Sequence, residues 1–355
     1  MNSLISILGT EYPLIQAPMA GVQGSALAIA VSNAGALGSL PCAMLATPML
    51  RQELTALRAG TSRPFNVNFF AHVPPAADAA QETRWREALR PYYKEFGLDP
   101  DAVPTGPGRL PFSHETAEVL EEFKPAVVSF HFGLPADDLL ARVRGMGAKI
   151  LSSATTVEEA LWLEERGVDA IIAQGLEAGG HRGMFLPSSV ATQMGTFALL
   201  PQICDAVKVP VIAAGGIVDP RGVRAAVALG ASGVQAGSAY LLCPESTTSA
   251  ISRAALRSDG SRSTALTNLF SGRPARGIMN RVMHDLGPMC EVAPAFPLAT
   301  AAIAPLRAEA ERRGSGDFSP LFVGQNSSVL REVSAAEVTR ELGEALGDAF
   351  VGASR

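Results

Sequence analysis

Short apolar runs alternate with segments of helical spacing from the start of the chain to about residue 240. Residues 13–19 read as a first strand, and residues 25–34 follow with the spacing of a helix. Residues 35–40, 64–70, 127–132, 149–154, 170–174, 209–215 and 233–237 read as the second to the eighth strands. The helices between them carry their own signals. Thr47 stands as an N-cap with Pro48 in the first helical position of a segment reaching Arg58. Glu158 and Glu159 fall in the first turn of a helix over 156–166, and a helix over 220–229 ends at Gly230. Eight strand–helix alternations predict an α/β fold, a (β/α)8 TIM barrel, because open doubly wound sheets usually stop at five or six strands.

Two stretches break this rhythm. Residues 71–114 insert Pro74-Pro75, a charged helix around Trp85 and Arg86, and a Pro/Gly loop at 104–108, which should cap or edge the barrel mouth. From residue 241 to about 328 the pattern is helical without strand partners, and from Ser334 a last helix over 335–346 should return to the barrel. The domain reading is therefore 1–240 for the barrel with its insertion, 241–328 for a second, mainly helical substrate-side domain, and 329–355 for the returning helix.

With 355 residues, 47% of them hydrophobic, the chain can bury one large domain and a smaller one. A net charge of -5 without a basic cluster argues against nucleic acid and an anionic membrane surface. The four cysteines are widely scattered, giving neither metal-ligand spacing nor a disulfide framework, so they read as reduced thiols of a cytoplasmic protein. No apolar run reaches the length of a membrane span, and the N-terminus lacks the marks of a signal peptide. Oligomeric state is not legible.

In a parallel barrel the C-terminal strand ends face the active site. Those ends carry Ala17-Pro18-Met19-Ala20, the pair Asn66 and Asn68, His131, Ser152-Ser153, and Gln174 with Gly179-Gly180-His181. Asn66 and Asn68 share a face, and a buried amide without a partner costs on the order of 1–3 kcal/mol, so each should meet the other or, as favoured here, a ligand. Gly215-Gly216 and Gly237-Ser238 close the last two strands with small residues, where many barrels hold a phosphate. Gly21-Val22-Gln23-Gly24 lacks the dinucleotide spacing and no P-loop lysine follows, so a mononucleotide is the better fit. His181, at the mouth of the sixth strand, could move a proton near neutral pH.

Gln16 to Gly21, Ser32 to Gly35, Asn66 to Phe70, the Ser-Phe-His-Phe-Gly run around His131, Ala173 to Gly183 and Ala213 to Ile217 resemble, in order and over nearly the whole chain, the motifs of the nitronate monooxygenases, class I. These were formerly called 2-nitropropane dioxygenases. The resemblance implies an FMN-dependent flavoprotein that oxidises alkyl nitronates, propionate 3-nitronate among them, with molecular oxygen to a carbonyl compound and nitrite. It implies FMN over Ala17, Pro18, Met19 and Ala20, with Asn68 and Gln174 along the ring edge and Ser152 among the contacts. Gly179, Gly180, Gly215, Gly216, Gly237 and Ser238 would take the phosphate end. His181 would be the base toward a neutral nitroalkane and His131 a donor to the nitro oxygens, with no metal involved. The Ala-Gly-Gly-His motif is shared with FMN-dependent NAD(P)H oxidoreductases acting on quinones or enoyl thioesters, which is the alternative.

Other groups read as ordinary. His72, His114 and His284 are expected at the surface or in packing, and Met19, Met279, Met283 and Met289 as core fillers. Residues 271–277 are either a linking turn with solvated Arg273 and Arg276 or part of the flavin site, and Gly324-Gln325-Asn326 a turn that could also touch FMN. Class I relatives are expected to bring tyrosines from the second domain. Here the last tyrosine is Tyr240, and Phe296 could occupy one such place.

Overall fold

Eight parallel strands close into a ring in a computed structural model that describes residues 3–76, 78–103, 109–186 and 189–353. The barrel strands are β1 (Leu14–Gln16), β2 (Gly38–Pro41), β3 (Phe65–Phe70), β4 (Val127–His131), β5 (Lys149–Ala154) and β6 (Ala170–Gln174), followed after a two-residue β7 (Gly180–His181) by β8 (Val211–Ala214) and β9 (Gly233–Ala236). Their order is β1-β9-β8-β6-β5-β4-β3-β2. Closure comes where Leu37 N–H donates to the Leu14 carbonyl (2.9 Å) and the Leu37 carbonyl accepts from Gln16 N–H (3.0 Å). The TIM barrel expected from the alternation is therefore present.

Helices α1 (Ser3–Leu8), α2 (Ser25–Asn33), α3 (Thr47–Gly60), α4 (Ala79–Phe96), α5 (His114–Phe123), α6 (Asp137–Gly145), α7 (Val157–Glu165), α8 (Thr196–Ala206) and α9 (Pro220–Ala228) accompany the strands. α10 (Ala250–Arg257), α11 (Arg281–Leu286), α12 (Ala299–Arg312) and α13 (Ala335–Ala353) follow β9. Leu4 and Leu8 of α1 enter the barrel-interior cluster with Ile15, Leu37, Val127 and Ile212, stoppering the end where the strands begin. α13 packs against α9 and α2 and so supplies the eighth outer helix about 100 residues after its strand. Thr47 is not a cap: α3 starts at Thr47 itself with Ala46 as N-cap, and the Thr47 hydroxyl instead donates to the Glu115 carboxylate.

α4 does not lie on the barrel mouth by itself. Trp85, Leu89, Tyr92 and Tyr93 recur on one face of it and are buried against Leu269, Phe270, Met283, Ile303, Leu306 and Phe318, making a second core. Trp85 Nε1–H donates to the Ala299 carbonyl (3.1 Å) and Tyr93 O–H to the Ala302 carbonyl (2.6 Å). The insertion and the region after residue 241 thus build one unit. The loop at 104–108 lies outside the described residues.

That unit is not without strands. β10 (Thr264–Thr267) and β11 (Ala275–Ile278) pair antiparallel, and β11 also pairs with β7, Ala275 opposite His181 and Arg276 opposite Gly180. Strands of two to four residues are too short to show alternation, which is why the sequence pattern missed them. Met283 is buried, Met279 half-buried and Met19 faces the central cavity, but Met289 is 42% exposed and fills no core. Among the described residues no helix is long and apolar enough to cross a membrane.

Candidate functional site

A cavity of about 260 Å³ opens at the C-terminal end of the barrel, between the strand ends and the second unit. Around it lie the turn Ala17-Pro18-Met19-Ala20 after β1, Asn68 on β3, His131 on β4, Gln174, Gly179, Gly180 and His181 around β6 and β7, and Gly215, Gly216, Gly237 and Ser238 after β8 and β9. Ser152 is the exception. Side chains alternate along β5, so Ser153 faces the cavity while Ser152 turns the other way and donates to the carbonyls of Gly133 (2.9 Å) and Phe130 (3.3 Å). Asn66 and Asn68 share a face, but they meet a common serine: both Nδ2 groups donate to Ser129 Oγ at 2.9 Å, and only Asn68 borders the cavity.

The two histidines are held differently. His131 Nε2 lies 3.1 Å from the His181 carbonyl, which can only accept, so Nε2 carries the hydrogen and Nδ1 accepts from Ser153 Oγ–H at 3.1 Å. Both ring nitrogens are then spent on the protein, leaving none to donate to a nitro oxygen; His131 positions the His181 segment instead. His181 Nε2 lies 2.8 Å from Ser271 Oγ, while Nδ1 has no partner among the described residues. The Ser271 hydroxyl can donate to the Arg273 carbonyl (3.4 Å), in which case its lone pair accepts Nε2–H and Nδ1 is left as a base. Phe296 and Phe322 stand 5.5 Å from the His181 ring centroid, with Phe132 at 6.0 Å and Phe70 at 6.1 Å. Phe296 therefore does come to the site.

The β6 loop owes its shape to Arg182, a fully buried guanidinium that pattern reading did not single out. It donates to the carbonyls of Gln174 and Gly175 (2.6 Å each) and to Gln193 Oε1 (3.0 Å). Gln174 in turn donates through Nε2 to the His181 carbonyl (3.0 Å) and accepts at Oε1 from Gly183 N–H (2.7 Å). The segment at 271–277 is no solvated turn: Arg276 is buried and donates to the Leu176 carbonyl (2.9 Å), and Arg273 lies 4.0 Å over the Phe132 ring. Gly324-Gln325-Asn326 also reaches the site, with Gly324 N–H on Ser238 Oγ (2.9 Å) and Asn326 Nδ2 on the Gly216 carbonyl (3.2 Å).

His131 is pushed down to about 4, first by burial and then by the charges of Arg273 and Arg182. His72, buried rather than on the surface, is held near 4 by burial and by Arg273 and Arg109, and His181 lies well below its ordinary value through burial, Arg109, His131 and Arg273. All three imidazoles are neutral at pH 7. Unfolded, each takes a proton near 6.5, whereas the folded protein refuses it until much lower pH, so stability is lost as the pH falls from 6.5 toward 4. His131 alone accounts for roughly 3 kcal/mol of that loss. Urea midpoints at a series of pH values across this window should fall steadily; a flat profile would show that the imidazoles protonate freely in the fold.

Whether the site suits a flavin can be judged from its own atoms. Gln235 Oε1, on β9 and bordering the cavity, is buried without a hydrogen-bond partner among the described residues, which leaves an acceptor for a ligand N–H. Gly215 and Gly216 hold φ of +123° and +71°, conformations that side chains rarely adopt, and bare backbone faces the cavity there. An amide acceptor at one wall and a glycine floor at another fit a flat heterocycle with a phosphate tail. Gln235 escaped the sequence reading, although a polar residue at an inward strand position was the available signal.

Comparison with known proteins gives a consistent set. The family model described as nitronate monooxygenase matches residues 1–344. The nitronate monooxygenase of Pseudomonas aeruginosa is 44% identical over 96% of this chain and 97% of its own, and that of Paraburkholderia phytofirmans 42% identical over 96% and 94%. Among solved structures, the nitroalkane oxidase from Streptomyces ansochromogenes superposes with a TM-score of 0.89 at 36% identity, covering 99% of both chains. FabK from Thermotoga maritima follows at 0.73 and 25%, covering 100% and 98%.

Proposed function

The chain belongs to the nitronate monooxygenase family, and on that premise we propose that it uses FMN to oxidise alkyl nitronates with molecular oxygen to a carbonyl compound and nitrite. The composition of the cavity wall carries this reading: imidazole, guanidinium, amide and glycine groups line it, and among the described residues no aspartate or glutamate does. Such a wall suits anions, and both a nitronate and a flavin phosphate are anionic. FMN, when bound, supplies an acceptor for electrons from a carbon that is already deprotonated, so no strong C–H bond has to break.

The remaining work falls to this chain's residues. Gly215, Gly216, Gly237 and Ser238, with Gly179 and Gly180, would take the phosphate end of FMN. Ala17 to Ala20 would underlie the ring, and Asn68, Gln174 and Gln235 its polar edge. The phenylalanines around His181 exclude water. For a neutral nitroalkane, His181 Nδ1 would take the α-proton, its ring held by Ser271; a preformed nitronate needs only to be oriented.

An absorbance spectrum of the purified protein, followed by assay of nitrite and carbonyl product from several nitronates, tests the proposal. Flavin bands and stoichiometric nitrite are expected, with no bleaching by NADH under anaerobic conditions. Rapid bleaching by NADH without nitrite release would instead make the chain an NAD(P)H oxidoreductase, and a colourless protein unchanged by incubation with FMN would overturn the flavin reading.

A further inference from the structure

Glu159, in the first turn of α7, is completely buried, although it neither borders the cavity nor makes an ion pair among the described residues. A glutamate three residues after an N-cap, here Thr156, ordinarily folds back on the cap's own amide. Four other donors take its two oxygens instead. Thr155 gives its N–H (2.6 Å) and its hydroxyl (2.7 Å) to Oε2, while Phe185 N–H and Leu186 N–H (3.1 Å) converge on Oε1. A carboxylate satisfies four such donors and an amide cannot, since half of the amide is itself a donor.

Both sides of this arrangement lead to the histidines. Thr155 follows β5 two residues after Ser153, whose hydroxyl meets His131 Nδ1. Residues 183–186 run on from His181 as a strap laid across the other imidazole: a Cβ on Gly183 would come within 2.9 Å of His131 Cε1 and 3.0 Å of Ser153 Cβ. Three groups hold that strap. Gln174 Oε1 takes Gly183 N–H, Arg273 donates to the Met184 carbonyl, and Glu159 secures the last two amides, with the Phe185 ring 5.0 Å from that of Trp162 one turn further along α7.

The same carboxylate is linked to Arg182. Thr155 Oγ1 accepts from Gln193 Nε2 (2.9 Å) and Gln193 Oε1 from Arg182 Nε–H (3.0 Å), so a buried anion and a buried cation end one chain of hydrogen bonds. Arg182 and Arg273 donate to carbonyl and amide oxygens and to no acid among the described residues. The charge of Glu159 favours both cations, against the burial that opposes them.

Resting on the nitronate reading above, we propose that Glu159 is a positioning residue for the reaction: its buried carboxylate clamps the strap at 183–186 and, as counter-charge to Arg182 and Arg273, keeps His131 and His181 in register at the cavity. Removing it would leave two buried guanidiniums uncompensated and four donors without an acceptor, and the strap would shift.

The test compares Glu159→Gln with Glu159→Asp in the holoprotein. Gln keeps the volume and sets donors against donors, whereas Asp keeps the charge and gives up one methylene. For ethyl nitronate, kcat per bound flavin should fall about 10- to 100-fold in Glu159→Gln, the scale of groups held out of line, and by less in Glu159→Asp, with KM moving about threefold or less. A packing role predicts the reverse order, because Gln is the isostere. Nitrogen NMR of histidine-labelled protein adds a readout independent of turnover: His131 should keep its Nε2–H tautomer in the wild type and in Glu159→Asp, and give a mixture in Glu159→Gln. A Gln variant at least as fast per flavin as the Asp variant, or a fixed His131 tautomer in Glu159→Gln, overturns the inference and leaves the nitronate reading standing. If the wild type turns over no nitronate, that reading falls, and the tautomer measurement still decides. Should Glu159→Gln not fold, Thr155→Val, which removes the hydroxyl joining Glu159 to Gln193, takes its place: kcat per flavin should fall about three- to tenfold, and an unchanged rate overturns the inference.

Discussion

His181→Asn should lower kcat/KM for neutral nitroalkanes about 1,000-fold, the scale of a missing general base, while preformed nitronates lose about tenfold or less. The difference follows from the bonding of the ring. Nε2 is held by Ser271 and Nδ1 has no partner among the described residues, and burial among four phenylalanines keeps the imidazole unprotonated at neutral pH. A nitroalkane must lose its α-proton before oxidation, whereas a nitronate has already lost it, so only the first substrate needs Nδ1. Steady-state kinetics with nitroethane and its nitronate, both followed by nitrite, separate the two. Equal losses would strip His181 of the proton-transfer role and leave it as a binding group.

Gly179→Ala should leave the protein largely without flavin. A Cβ at this position would meet the backbone of the returning segment, at 2.5 Å from Gly324 N and from Val323 C and 2.9 Å from Val323 Cα, and backbone cannot swing aside as a side chain can. That segment is bonded to Ser238 through Gly324, to the Glu177 carbonyl through Gln325 (2.9 Å) and to Gly216 through Asn326. Displacing it therefore moves the proposed phosphate floor. Flavin affinity is expected to fall about 100-fold or more, and forced overpacking to cost roughly 1–3 kcal/mol of stability. The ratio of flavin to protein absorbance after purification and the unfolding midpoint give the two numbers. A full flavin complement in the variant would mean that Gly179 does not shape the floor.

The barrel was legible because its signal is repetitive. Eight apolar runs at regular intervals, each buried from both sides, leave little choice of architecture once the alternation is counted. Most of the cavity wall followed, since the chemistry of a barrel gathers where strands end: the turn after β1, His131, Gln174, the glycines of β6 and those after β8 and β9 were all named from order alone. The same reasoning slips by a single residue where parity decides. Ser152 and Ser153 are adjacent in the chain, and only the pleat of β5 sends Ser153 to His131 and Ser152 away from the cavity.

What the chain order could not give were the contacts made across long separations. Arg109, Arg307 and Phe322 reach the cavity from elements 70 to 140 residues distant from the His181 loop in sequence, and no local period announces them. The pairing of β7 with β11, which sets His181 opposite Ala275 and brings Ser271 to its Nε2, rests on strands too short to be seen before folding. So the sequence by itself determined the ring of strands, the end at which its chemistry lies and the family of residues there, because those follow from periodicities of two and 3.6. Tertiary structure alone decided which nitrogen of each histidine is free and which arginines stay unpaired, because hydrogen bonding and desolvation depend on neighbours that only the closed fold supplies.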